Sequence, residues 1–229
     1  MKKEEKMEVK IIKNILGENE LIASEIEKIL KEKGIFSLEI LGSPGSGKTT
    51  LIELLLENFG KKYNFSVIEG DVASSVDSDR LKKYGVQVIQ INTKNLSSVC
   101  HMEAFMVHKA LNELDLDKTD FLVVENIGNL VCPASFRLGC NLRLLVLSVP
   151  EGSDKPLKYP LIFKNVDSVV VSKIDLKELA PFDFDDFKDE VNLLNKGANI
   201  FELSVKEKIG IQPFLDYISI KVASFKNSI

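Results

Sequence analysis

A glycine-rich octapeptide, GSPGSGKT at residues 42–49, is the strongest chemical signal in the sequence. It matches the pattern G-x-x-x-x-G-K-[ST], in which glycines let backbone N–H groups point at phosphate oxygens. In that pattern Lys48 reaches the β- and γ-phosphates and the Thr49 hydroxyl ligates Mg²⁺. A plain turn is the structural alternative, but an apolar segment precedes this one and a helical pattern follows it. The pattern predicts a nucleoside triphosphate site made by Gly42, Ser43, Pro44, Gly45, Ser46, Gly47, Lys48, Thr49 and Thr50.

Two acidic residues at the ends of apolar runs are candidates for the magnesium site. Asp71 follows the run at residues 65–69, and Glu125 ends another run. Nucleotide-bound Mg²⁺ usually takes one or two carboxylates, directly or through water. We predict that Asp71, Glu125 and Thr49 hold Mg²⁺, and that Lys48, Asp71 and Glu125 are catalytic, with an acid orienting the attacking water. Asp77 is interpreted as the N-cap of the next helix.

A second element, VVVSKID at residues 169–175, indicates which base is bound. It resembles the guanine-reading [N]-K-x-D element of GTPases, with Ser172 at the Asn position. The Asp175 carboxylate accepts hydrogen bonds from guanine N1–H and the 2-amino group, a pair that adenine lacks. Lys173 packs its stem over the base. A strand with a polar turn is the alternative, but Ser204 and Lys206 resemble the S-A-K loop behind the base, and both elements together favour guanine.

Cysteine and histidine define a third group of candidates. A free cysteine is most often a small buried hydrophobe, but Cys100 and His101 are adjacent in one polar segment and Cys132 follows another. Thiolate and imidazole ligands suit Zn²⁺ or Ni²⁺. Three ligands leave a position for water or for a second subunit. We interpret Cys140 as structural and His108 as a helix-surface residue.

The composition is that of an ordinary folded protein. Of 229 residues, 45% are hydrophobic and 28% are charged, with 30 Lys and Arg against 34 Asp and Glu. A net charge of −4 without a basic stripe excludes a nucleic-acid partner. Three cysteines are too few for a disulfide framework. We expect a cytoplasmic protein, because the sequence carries neither an export signal nor an apolar run of the roughly 20 residues that span a bilayer.

Short apolar runs alternate with helical patterns, which is typical of a doubly wound α/β fold. Several runs are apolar nearly throughout, as in a parallel sheet covered on both faces. Strands are predicted at residues 36–41, 65–69, 86–91, 121–125, 142–149, 169–171 and 199–205. Helices are predicted at residues 19–33, 49–59, 77–83, 102–113 and 181–195. The sequence thus predicts a mostly parallel sheet of the P-loop NTPase type at residues 35–229, with an N-terminal extension and packed helix at 1–34.

Taken together, these segments resemble the HypB family, the GTPases that help load nickel into [NiFe]-hydrogenase. The resemblance covers most of the chain, from about residue 40 to residue 210. Besides the phosphate loop, it rests on EGD at 69–71, CH at 100–101, ENIGNLVCPA at 125–134, EGSDKPLKYP at 151–160 and the Lys173/Asp175 pair. The 129–134 and 154–160 stretches are much more specific than any phosphate loop.

The resemblance implies a slow GTPase that uses GTP, GDP and Mg²⁺ and forms a nucleotide-dependent homodimer. It implies nickel or zinc at Cys100, His101 and Cys132, with a hydrogenase-maturation protein and the hydrogenase large subunit as partners, and neither nucleic acid nor membrane. The chain departs from the family in three places. The segment between Thr93 and Cys100 is longer and lacks glycine, Ser172 replaces Asn, and the optional N-terminal His-rich and C-x-x-C-G-C tracts are absent.

Two other functions remain open at the level of sequence. A urease-type nickel-chaperone GTPase has a similar phosphate loop and a similar Cys-Pro loop, but lacks the Cys-His pair and the DKPLKYP run. A metal-binding regulatory or storage protein with a weak nucleotide site is the other, although an intact Lys48–Thr49 pair argues against it. A generic P-loop kinase is disfavoured, because no Arg-rich lid segment is visible.

Overall fold

A parallel β-sheet forms the centre of the protein. The computed structural model describes residues 2–71, 80–92 and 100–229. The strands of the sheet are β1 (Phe36–Gly42), β2 (Phe65–Asp71), β3 (Gln87–Asn92), β4 (Phe121–Glu125), β5 (Leu142–Ser148), β6 (Ser168–Ser172) and β7 (Asn199–Glu202). They lie in the order β3-β2-β4-β1-β5-β6-β7, and every pairing is parallel. The predicted α/β fold of the P-loop NTPase type is confirmed.

Helices cover both faces of the sheet. They are α1 (Lys2–Glu32), α2 (Lys48–Phe59), α3 (Ala104–Leu111), α4 (Lys155–Lys158), α5 (Pro160–Lys164), α6 (Phe184–Leu194) and α7 (Ile211–Lys226). Turns of 3₁₀-helix lie at Leu116–Lys118, Cys132–Ser135, Val149–Glu151 and Ile174–Leu176. Among the residues described, no helix is both long and apolar enough to cross a membrane.

The sheet separates the core into layers. Strands β1, β4, β5 and β6 are buried at every residue, which explains why their sequences are apolar nearly throughout. On one face α2 and α7 pack against the strands through residues such as Leu55 and Phe214. On the other face α1 and α3 supply Ile26 and Val107, and α5 and α6 supply Phe163 and Phe187.

Helix α1 differs from the prediction at its start. The sequence suggested a helix from residue 19, whereas the helical backbone begins at Lys2. Ala23, Ile26 and Leu30 are fully buried and recur at the three- and four-residue spacing of one helix face. Most of the predicted helix at 77–83 lies outside the described residues, which show a helical turn at 80–82.

The register of the central strands positions the site. Ile40 in β1 pairs with Glu125 in β4, so the end of β4 lies directly beside the loop that leaves β1. On the far side of β4, Glu69 in β2 pairs with Glu125. The phosphate loop and two strand-end acids therefore meet at one edge of the sheet, where ligands bind in folds of this kind.

Candidate nucleotide and metal sites

The phosphate loop connects β1 to α2. Gly47 has φ 100°, a left-handed conformation that favours glycine, and α2 begins at the next residue. The first N–H groups of a helix have no intrahelical acceptor, so they form an anion site. Lys48 Nζ is buried and donates to the Ser43 carbonyl at 3.1 Å. A cleft of about 440 Å³ opens here, lined by Pro44, Gly45, Gly47, Lys48, Thr49 and Thr50.

Glu125 faces the start of α2. The Thr49 hydroxyl donates to the Glu125 carboxylate, with Oγ1 3.1 Å from each oxygen. Lys48 Nζ lies 3.9 Å from Glu125 Oε1, and both side chains are almost completely buried. A hydroxyl beside a carboxylate at the phosphate loop offers the oxygen ligands that Mg²⁺ prefers. The two residues predicted to hold Mg²⁺ on this side of the cleft are thus in contact.

The second strand-end acid is less fully described. Asp71 is the last residue of β2, and its backbone pairs with Asn92 in β3. Glu69, two residues earlier, is buried and lines the cleft together with Glu125. Sequence reasoning did not select Glu69 as a site residue. The signal that could have identified Glu69 is a charged residue at the end of an otherwise apolar run.

The predicted base-reading residues surround one cavity of about 330 Å³ beside the phosphate loop. Ser172 Oγ donates to the Ser46 carbonyl at 2.6 Å, and therefore links β6 to the phosphate loop. Lys173 has φ 58°, and its Nζ donates to the Gly45 carbonyl at 2.7 Å. The walls of the cavity include Gly47, Thr50, Ser172, Lys173, Asp175, Ser204 and Lys206. The structure thus brings the two predicted base-reading segments together.

Cys100, His101 and Cys132 converge, although Cys132 is 32 residues from Cys100 and 31 residues from His101 along the chain. One ligand atom from each lies within 4.8 Å of the other two. Cys100 Sγ and His101 Nδ1 are 3.8 Å apart, and the buried Nε2 has no hydrogen-bond partner among the described residues. Sulfur atoms on a tetrahedral metal are about 3.8 Å apart. The three ligand atoms are therefore close to the spacing that a tetrahedral ion requires.

The protonation states of Cys100 and His101 affect their ability to bind a metal ion, because only a deprotonated thiol or imidazole nitrogen can do so. A hydrogen bond with Cys132, together with burial, raises the pKa of the Cys100 thiol. Burial lowers the pKa of His101, so its ring is neutral near pH 7. Burial also raises the pKa of Cys140, which lies apart from the cluster beside the Glu39 and Arg143 side chains. Cys140 therefore has the structural setting that the sequence indicated.

One segment, residues 125–132, connects the two sites. The Asn129 backbone N–H donates to the Gly42 carbonyl at 3.1 Å, and its Nδ2 donates to the Cys100 carbonyl at 3.2 Å. Gly128 lies so close to the phosphate loop that an added Cβ would be 2.8 Å from Pro44. Asn129 was missed as a functional residue, because only the structure shows that it touches both loops.

The sequence is similar to those of known nucleotide-binding proteins. Residues 37–202 match the family model described as the CobW/HypB/UreG nucleotide-binding domain. The chain is 41% identical over 217 residues to the hydrogenase/urease maturation factor HypB of Helicobacter pylori, covering 93% of this chain and 88% of that protein. It is 38% identical to the probable hydrogenase maturation factor HypB of Methanocaldococcus jannaschii, covering 94% and 96% of the two chains.

The fold is also similar to that of a solved HypB structure. The crystal structure of HypB from Helicobacter pylori in complex with nickel superimposes with a TM-score of 0.84 at 39% identity, covering 90% of this chain and 96% of that one. The chain therefore belongs to the CobW/HypB/UreG family of nucleotide-binding domains and, within it, to the HypB proteins. The family resemblance inferred from the sequence is confirmed.

Proposed function

We propose that this protein is a GTP-hydrolysing metallochaperone that binds nickel and assists nickel insertion into [NiFe]-hydrogenase. The observation that carries the proposal is the continuity of the two sites. Glu125 contacts Thr49 in the phosphate loop, whereas Cys132, on the same short segment, belongs to the metal cluster. A nucleotide that moves this segment acts on the metal ligands directly.

In the proposed GTPase reaction the chain supplies charge neutralisation and positioning. Lys48 binds the β- and γ-phosphates, while Thr49, Glu125 and Asp71 hold Mg²⁺ or its waters. One of the acids orients the attacking water. Asp175 accepts two hydrogen bonds from guanine, with Ser172, Lys173, Ser204 and Lys206 enclosing the base. Slow hydrolysis suits a switch whose GTP-bound state must last until the partner protein binds.

The proposed cargo site consists of Cys100, His101 and Cys132. Two thiolates and one neutral imidazole suit Ni²⁺ or Zn²⁺. Because the Cys100 thiol has a raised pKa, metal binding releases protons and strengthens as the pH rises. The fourth position is left to water or to the same residues of a second subunit, which fits a GTP-dependent homodimer. The proposed setting is the cytoplasm, where such thiols stay reduced.

GTP and nickel would then favour one arrangement of the 125–132 segment, and hydrolysis would relax it. Nickel would pass to a hydrogenase-maturation protein and from there to the hydrogenase large subunit. The Helicobacter pylori relative is named as a factor for both hydrogenase and urease, so urease is a second candidate recipient. The similarity to HypB proteins favours this function over that of a separate urease-type chaperone.

The test measures nickel bound per chain and phosphate released from GTP. We expect Cys100→Ala and Cys132→Ala to lose nickel and Cys140→Ala, the matched control outside the cluster, to keep it. Lys48→Ala should lower hydrolysis by at least about 100-fold, because it removes charge stabilisation at the transferred phosphate. Unchanged nickel in both cluster variants would refute the ligands. If the wild type released no phosphate, the regulatory or storage function would stand instead.

A further inference from the structure

A buried ion pair lies beneath the metal cluster. Glu39 in β1 and Arg143 in β5 are directly opposite each other in register, and Arg143 Nε donates to Glu39 Oε2 at 2.8 Å. The Glu39 side chain is completely buried, and that of Arg143 is 10% exposed. Removing two charges from water is expensive, and apolar residues of similar volume often stabilise a fold equally well or better. The pair therefore calls for an explanation beyond stability.

The Arg143 side of the pair holds the segment that carries Cys132. Its Nη2 donates to the Pro133 carbonyl at 3.1 Å and to the Phe136 carbonyl at 3.3 Å. Pro133 follows Cys132 directly. The Phe136 ring lies against His101, with 4.1 Å between the ring centroids. One guanidinium thus fixes both ends of the turn at residues 132–136.

The Glu39 side of the pair holds the segment that carries Cys100 and His101. Asn126 Nδ2 donates to Glu39 Oε1 at 2.9 Å, and Asn126 is itself buried. Asn126 Oδ1 accepts a hydrogen bond from the Met102 N–H at 3.2 Å. Met102 follows His101 directly, so the same network reaches the second half of the cluster.

We infer that Glu39, Asn126 and Arg143 form a buried polar hub that sets the spacing of the metal ligands. These are positioning residues, since each acts through backbone next to a ligand rather than through the metal. Two thiols from separate segments lose their protons and approach each other when the ion binds, and a rigid frame below them lowers the cost of bringing them together. This role of the hub rests on the metal function proposed above. Beyond that function, it assigns the control of metal affinity to Glu39, Asn126 and Arg143.

Two hub variants separate positioning from stability. Arg143→Lys keeps the charge but loses the planar fork that reaches several carbonyls at once. The double variant Glu39→Leu with Arg143→Met removes both charges at similar volume, but it leaves the Asn126 amide and the Pro133 and Phe136 carbonyls without these partners. We therefore expect a lower melting temperature, and nickel affinity is compared with that of the wild type at a temperature at which both proteins are folded. Arg137→Lys is the control, because this exposed arginine in the same region pairs only with Glu20 and Glu27 of α1 among the described contacts.

The measurements are nickel affinity by competition with a chromophoric chelator, the nickel–thiolate absorption band, GDP affinity and melting temperature. We expect both hub variants to bind nickel about 10- to 100-fold more weakly and with a shifted band. GDP affinity should stay unchanged, and Arg137→Lys should match the wild type. Hub variants that fold and bind nickel as the wild type does would overturn the inference while leaving the proposed function intact.

Two further outcomes are decisive. A wild type that binds no nickel would refute the proposed function itself. If neither hub variant folds, Asn126→Ala decides the question, because it leaves the Glu39–Arg143 pair in place and removes the link between Glu39 and the Met102 N–H. Weaker nickel binding by this variant, measured where it is folded, supports the hub. Unchanged nickel affinity and an unchanged absorption band overturn it.

Discussion

Single side chains connect the strands to the nucleotide cavity. Ser172 occupies the position at which an asparagine is expected in the guanine-reading element, and its hydroxyl donates to the Ser46 carbonyl. The shorter side chain therefore still ties β6 to the phosphate loop. Lys173 does the same through the Gly45 carbonyl. Both bonds leave Asp175 at the wall of the base cavity, where recognition of the base is proposed to occur.

Asp175→Asn tests guanine recognition. A carboxylate accepts two hydrogen bonds from guanine, and hydrogen bonds to charged groups each contribute about 1.5–3 kcal/mol. We expect the variant to bind GDP at least about 100-fold more weakly and to prefer the xanthine nucleotide, whose base presents an acceptor in place of the 2-amino group. Calorimetric titration with GDP, XDP and ADP measures this. Asp216→Asn is the control, since Asp216 lies on the exposed face of α7. Unchanged GDP affinity in Asp175→Asn would show that another group reads the base.

At the scale of elements, the strands were predictable and helix α7 was not. Strands β1, β4, β5 and β6 are buried at every residue, and burial on both faces leaves a mostly apolar run in the sequence itself. Helix α7 was missed although its buried residues, Phe214, Leu215, Ile218 and Val222, recur at the spacing of one helix face. Pro213 obscured its first turn, where proline is tolerated.

Sequence reasoning selected the three side chains that cluster, Cys100, His101 and Cys132, but not the structure beneath them. Glu39 is a charged residue inside an apolar strand, and that anomaly was visible in the sequence. Its partner Arg143 is 104 residues away, and no local pattern predicts a contact at that separation. The same limit applies to Asn129, because its role depends on the approach of two loops.

We propose that residues 1–34 form an extension whose helix α1 is an integral layer of the domain. Ile26 is completely buried, whereas Leu21 on the same helix is 73% exposed. We expect Ile26→Ala to lower the free energy of unfolding by about 2–5 kcal/mol, because it leaves a cavity between α1 and the sheet. Leu21→Ala should change the free energy by less than about 0.5 kcal/mol. Denaturant titration compares the two, and equal effects would contradict the proposed packing.

At the scale of the whole molecule, one segment of the chain connects the phosphate loop to the Cys100–His101–Cys132 cluster. Both lie at the carboxyl edge of the sheet, and residues 125–132 run from one to the other. A shift of residues 125–132 at the nucleotide cleft is therefore expected to move Cys132 directly. Linkage makes such coupling reciprocal, so that nickel must alter nucleotide affinity by the same factor by which nucleotide alters nickel affinity.

Nickel titrations in the presence of GDP and of a non-hydrolysable GTP analogue measure the coupling. We expect the two affinities to differ by about 5- to 150-fold, the range of coupling energies near 1–3 kcal/mol. The oligomeric state, followed by light scattering, should change with the nucleotide. Asn129→Ala should reduce the difference, because it removes the bond to the Cys100 carbonyl. Asn58→Ala is the matched control, since Asn58 bonds within α2. Equal affinities with no change in oligomeric state would disprove the coupling.

The shared segment also limits how the protein can be re-engineered. Cys132 obtains its position from a stretch that begins at Glu125 in the nucleotide cleft, and Cys100 obtains its position from Asn129 on that same stretch. Grafting the three ligand residues alone onto another P-loop scaffold would transfer the chemistry without the geometry. A successful transplant would have to carry the whole stretch with the loop it rests on, so we expect the proposed metal site and the proposed nucleotide site to be transferable only together.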